Sequence, residues 1–157
     1  MSIILEMSDM GRRIHPDRPR IIGSLDERIM LHIAAREVLD LMPGIHPELD
    51  IDVEALDHIK LGFLREPCKN WGYCSYSNES RGYATEFQER NKTHRILISR
   101  MHMNEDLVEF IRTLHHEFLH AILGSSEGHG DIFTMHELRF AEFANRIARV
   151  VDLYILN

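Results

Sequence analysis

Two long runs of helical period fill the C-terminal third of the 157-residue chain, and a single break separates them. The first runs from Asn104 to Leu123 and the second from near Gly130 to about Leu153, with Gly124-Ser125-Ser126-Glu127-Gly128 between them. Asn104 is placed to cap the first helix, and Glu105 and Asp106 suit the positive end of its dipole. On a helical wheel with Leu107 at the origin, Phe110, Ile111, Leu114, Phe118, Ala121 and Ile122 fall within about 60° on either side, one apolar stripe. On the second helix Ile132, Phe140, Phe143, Ile147 and Val150 are expected to share a face with His136.

Upstream the period changes. Ser24-Leu25-Asp26-Glu27 reads as a capping box that opens a helix, with Leu25, Ile29, Ile33 and Val38 near helical spacing and Pro43-Gly44 as its stop. Ile59, Leu61 and Phe63 alternate with polar or small residues, the signature of a strand. Trp71–Tyr76, Gly82–Phe87 and His94–Ile98 are further β-prone runs, with Asn78-Glu79-Ser80 and Arg90-Asn91-Lys92 as turns between them. The expected fold is therefore α+β: an N-terminal helix, a small antiparallel sheet of three to four strands, then two long helices. Residues 1–23 read as a basic, irregular arm and 24–157 as one domain. Cys68 and Cys74 lack zinc-knuckle spacing and read as thiols rather than ligands.

Charge narrows the partners. There are 25 acidic and 18 basic residues, for a net charge of −7. Tight stand-alone binding to nucleic acid is disfavoured, because counterion release needs basic surface. A weak or indirect nucleic-acid contact through Arg12, Arg13, Arg18 and Arg20 is the most this balance leaves. No apolar run approaches the roughly 20 residues that span a bilayer, and the N-terminus lacks the order of a secretory signal, so the expected location is the cytoplasm.

Histidine is the unusual component. Of the 11, seven lie from His94 to His136. His116-Glu117-Phe118-Leu119-His120 is an H-E-x-x-H motif on the first long helix, where His116 and His120 project about 40° apart and one turn above the other. Imidazoles so placed can hold a Zn²⁺ ion, with Glu117 beside them to take a proton from water. Both histidines face away from the apolar stripe. His129, flanked by Gly128 and Gly130, follows nine residues later and supplies a third ligand, as a catalytic zinc with one open position requires. A metzincin pattern fails, because the glycine comes one place late and the histidine three. Glu137 is the alternative third ligand. His136 reads as a core histidine or a group behind the ligands, and His115 as bordering the core. Tyr76 and Tyr83 are candidates to polarise a substrate carbonyl, or packing aromatics.

The stretch HHEFLHAILGSSEGHGDIF resembles the SprT-like metallopeptidases, which show H-E-x-x-H and then H-G-x-x-F on the next helix. The resemblance matches His129 to the family's third histidine and Phe133 to its aromatic, and it implies an N-terminal helix and a small sheet before the motif helix. It implies a zinc-dependent endopeptidase acting on protein or peptide, with Glu117 as general base, an extended substrate added at a sheet edge, and DNA-associated proteins as a possible class of target. The chain departs from many relatives in its short His120–His129 loop and in lacking a zinc ribbon or added basic region. Two other readings stand beside it: a zinc hydrolase acting on RNA, against which Glu117 argues, and a non-catalytic zinc-binding interaction module.

Overall fold

The computed structural model describes residues 4–5, 22–56, 59–65, 72–76, 93–123 and 129–156. Arg12, Arg13, Arg18, Arg20, Cys68, Tyr83 and the strand expected at Gly82–Phe87 lie outside them. No helix of the described residues is long and apolar enough to cross a membrane.

The capping box forms as the sequence predicts: the Glu27 N–H donates to Ser24 Oγ at 3.1 Å and the Ser24 N–H to Glu27 Oε1 at 2.7 Å. It opens helix α1 (Leu25–Ile45). Pro43 removes one helical N–H bond without ending the helix there; α1 runs on to Ile45, and the His46 N–H closes it on the Met42 carbonyl at 2.9 Å. The buried face differs from the expected one. Leu25 and Ile29 are exposed, whereas Leu31, Ala34, Ala35, Val38, Leu39, Met42 and Ile45 are buried at helical spacing. Two alanines at the centre of this stripe let α1 pack closely and weaken its hydrophobic signal. A 3₁₀ turn (Pro47–Leu49) and the short helix α2 (Val53–Leu56) follow.

Among the described residues four strands make one sheet: β1 (Ile4–Leu5), β2 (Lys60–Phe63), β3 (Gly72–Tyr76) and β4 (Thr93–Ile98), in the order β1-β2-β4-β3. The expected antiparallel meander is not what forms. β2 runs parallel to both β1 and β4, and only β3 pairs antiparallel to β4. Parallel strands are normally covered on both faces; accordingly Leu61, Gly62 and Phe63 of β2 and Ile96, Leu97 and Ile98 of β4 are all buried. Within the residues read as an irregular arm, Ile4–Leu5 form a strand. Gly23 adopts φ +92°, and a Cβ there would lie 2.8 Å from the Phe63 ring, so chain entry into α1 requires glycine on both counts.

The helix expected to start at Asn104 is two helices. Ser99 caps α3 (Arg100–Glu105), and Asp106 then breaks it, its side chain accepting from the Glu109 N–H at 3.1 Å to start α4 (Leu107–Leu123). Asn104 lies inside α3 and, with Arg100, binds Glu27 at the start of α1. On α4 the predicted stripe is buried: Phe110, Ile111, Leu114, Phe118 and Ala121. Helix α5 (Asp131–Leu156) packs along α4 and α1. It buries Phe133, His136, Phe140, Ala144, Ile147, Ala148 and Val151, while Ile132 is exposed, so its stripe is rotated from the expected one.

Candidate metal centre

Two successive helices bring three imidazoles together. His120 Nε2 lies 3.2 Å from His116 Nε2 and 2.9 Å from His129 Nε2. The three ring centroids are 4.8–5.0 Å apart. Helical phase places His116 and His120 in line on α4, and the chain returns through His129 two residues before α5 begins. Phe133, fully buried on the first turn of α5, sits 4.5–5.2 Å from all three rings and forms the floor that orients them.

This donor set fits a metal ion. Donors about 2.0–2.1 Å from a tetrahedral ion lie about 3.3 Å from one another, close to the spacing found here. Among the described residues no fourth histidine, cysteine or carboxylate joins the cluster, and His129 is exposed to solvent. Burial, then the neighbouring His116 and His129, pushes the His120 imidazole down to about 4. At neutral pH its ring is uncharged and its lone pair needs no deprotonation before binding.

Glu137, the alternative third ligand, takes a different role. Its Oε2 lies 2.7 Å from His116 Nδ1, the nitrogen that does not face the cluster. A histidine that binds a metal through Nε2 must carry its proton on Nδ1, and a carboxylate acceptor there sets the tautomer and ring angle. From sequence Glu137 is a candidate ligand, and its position one turn beyond Phe133 on α5 is the signal that places it behind His116 instead.

Glu117 is buried at 6% exposure, and among the described residues its Oε2 has no hydrogen-bond partner. Burial pushes its carboxyl up to about 7; His116 opposes that rise and Glu137 adds to it. An orphaned buried carboxylate oxygen beside an imidazole cluster is the kind of atom that a catalytic role, a water or an ion accounts for. Gly72 on β3 makes this burial possible. A Cβ there would come within 2.9 Å of Thr113 Cγ2 and 3.0 Å of Glu117 Cγ, so only glycine lets the strand lie against this turn of α4. An isolated strand glycine is the usual mark of such an approach.

Neither His136 nor His115 joins the cluster. His136 is buried and turned to His46, its Nδ1 2.9 Å from His46 Nδ1. His115 is buried too, stacked on Phe140 with centroids 3.9 Å apart and hydrogen-bonded to His46. Tyr76 ends β3, paired across from Thr93. Searches with the chain found no matching family model, no matching curated protein and no matching solved structure.

Proposed function

We propose that the chain is a zinc-dependent metalloendopeptidase of the SprT-like kind, with His116, His120 and His129 as ligands. The carrying observation is the convergence of the three Nε2 atoms beside a buried, unpartnered Glu117. Three nitrogen ligands, with no fourth donor among the described residues, match the catalytic pattern, whereas structural zinc sites close with four. Bound zinc would polarise the scissile carbonyl and make a neighbouring water more acidic. Glu117 accepts the proton from the attacking water and returns it to the departing amine nitrogen. Burial raises that carboxyl's hold on a proton, while bound zinc would favour its charged form, so the two oppose each other at the group that must take and return the proton. Glu137 holds the His116 ring through Nδ1, and Phe133 excludes water from behind the three rings.

The sheet suggests where a substrate would lie. Among the described residues β1 and β3 are the two edge strands, and it is β3 whose Gly72 lies against the turn of α4 that carries Glu117. A peptide added along such an edge is held by backbone hydrogen bonds and therefore read in extended form. This favours unstructured protein segments as substrate.

The test is cleavage of an unfolded protein by zinc-loaded enzyme. Glu117→Gln should retain zinc and lose about 10²–10⁴-fold in rate. Unchanged cleavage by Glu117→Gln, or cleavage of RNA but not protein, would overturn the reading.

A further inference from the structure

A second group of donors lies on the other flank of the same helices. Consecutive residues on a helix point about 100° apart. His116 and Glu137 serve the first cluster, and their neighbours His115 and His136 therefore face elsewhere, toward the end of α1. There His46, which caps α1, and Glu48, in the 3₁₀ turn, meet His136 of α5. The Nδ1 atoms of His46 and His136 are 2.9 Å apart, and Glu48 Oε1 is 3.5 Å from His136 Nδ1. All three donors lie within 4.8 Å of one another, as the three of the first cluster do.

We propose that His46 Nδ1, His136 Nδ1 and Glu48 Oε1 form a second binding site, for a divalent transition ion of the zinc type. Two imidazoles with one carboxylate suit such an ion and not calcium or magnesium, which take oxygen. The ring chemistry is already arranged for it. If His46 gives its Nδ1 lone pair to an ion, its proton must sit on Nε2, and His115 Nε2 lies 2.8 Å from that atom as acceptor. The flat stack of His115 on Phe140, 7° from parallel, fixes that acceptor. The first cluster has the same design, with Glu137 behind His116. Arg139 donates to the same Glu48 Oε1 and, at 3.1 Å, to the Ile45 carbonyl, so it fixes that oxygen beside His136 and would share it with the ion. His46 and His136 are buried while Glu48 is half exposed, which gives the ion an entry path. Because the ligands come from positions 46, 48 and 136, an ion here ties the end of α1 to α5 and binds only the folded chain.

This site is independent of the peptidase reading, and its test reads no cleavage. The full-length protein is stripped with a chelator and titrated with Zn²⁺, with bound metal counted by mass spectrometry and thermal unfolding followed in parallel. Wild type should take up two equivalents. A His120→Ala/His129→Ala variant, which lacks the first cluster, should keep one and rise by about 5–10 °C in Tm at a hundredfold excess of Zn²⁺ over Kd. Adding Glu48→Gln, at a half-exposed position, should weaken that binding at least about tenfold and abolish the shift. His136→Gln should do the same if it folds. One equivalent in wild type with no zinc response in the double variant would overturn the site and leave a chain of hydrogen-bonded neutral histidines. A zinc shift that survives Glu48→Gln would overturn the ligand set.

Discussion

Replacing Glu137 separates a ligand from a residue that only holds one. Its Oε2 is 2.7 Å from His116 Nδ1, and its side chain is 36% exposed, so substitution removes this contact without opening the core. With an ion on Nε2, His116 is neutral and donates its Nδ1 proton to the carboxylate, a charge-assisted bond. Such bonds contribute about 1.5–3 kcal/mol against about 0.5–1.5 for neutral ones. Glu137→Gln keeps an acceptor but loses the charge, about 1–1.5 kcal/mol, so the zinc Kd should rise about tenfold. Glu137→Ala loses the acceptor as well and should raise Kd by about 10–100-fold. His129→Ala, which removes a proposed ligand, should exceed both. The assay is competition against a chromophoric chelator at fixed pH and salt, with folding checked by thermal melts. If Glu137→Ala leaves Kd within about twofold of wild type, the contact does not position His116. If it weakens binding more than His129→Ala does, Glu137 is itself a ligand.

Three further outcomes are expected. Burial would raise the Glu27 carboxyl, but the Ser24 N–H, the Asn104 amide and Arg100 together outweigh it and hold it at about 2, below its ordinary 4.5. A depressed carboxyl stabilises the fold above its unfolded pKa and loses that stabilisation as pH falls toward 2. Glu27→Gln should therefore cost about 1–2 kcal/mol at pH 7, allowing for solvent screening, and almost nothing near pH 2, as measured by paired denaturant melts. Phe118→Ala, on the fully buried stripe of α4, should cost about 3–5 kcal/mol in a urea titration. A cost below about 1 kcal/mol would place that residue outside the core. Gly72→Ala drives a methyl group to within 2.9 Å of Thr113 and 3.0 Å of Glu117, so cleavage should fall further than zinc affinity; equal losses would show that β3 serves only the fold.

Local rules carried the sequence reading furthest. The Ser24–Glu27 box, the apolar stripe of α4 and the opposite phase of His116 and His120 each depend on a few neighbouring residues, and each forms. Failures came where distant segments decide. Nothing in the β-prone runs tells β2 that it will pair parallel to β4, since pairing direction depends on how intervening chain crosses the sheet. On α1, Val38 is buried and Ile33 packs against the core as their spacing predicts, but Leu25 and Ile29 are exposed while Ala34 and Ala35 are buried, because apolar content alone does not say which face meets the core. His46 and Glu48 gave no signal at all: they lie 90 and 88 positions from His136 in the sequence, and only the packing of α1 against α5 unites them.

The two histidine groups differ in a way that bears on chemistry. Around His46, both ring nitrogens have partners, and Glu48 is neutralised by Arg139, so that region is satisfied with or without an ion. Around His116 the accounting stays open, because Glu117 Oε2 is buried and unpartnered among the described residues. Leaving such an atom unmade costs about 1–3 kcal/mol, more if the group is charged, and burial answers by pushing the carboxyl toward its neutral form. A cation in the neighbouring cluster would reverse that balance by favouring the carboxylate, and a water held between them would supply the missing hydrogen bond. Stripping the metal should thus destabilise the fold less in Glu117→Gln than in wild type, since the amide has no charge for the ion to stabilise. An equal or larger loss in Glu117→Gln would mean that Glu117 does not sense the ion, and its assignment as the base would fall with it.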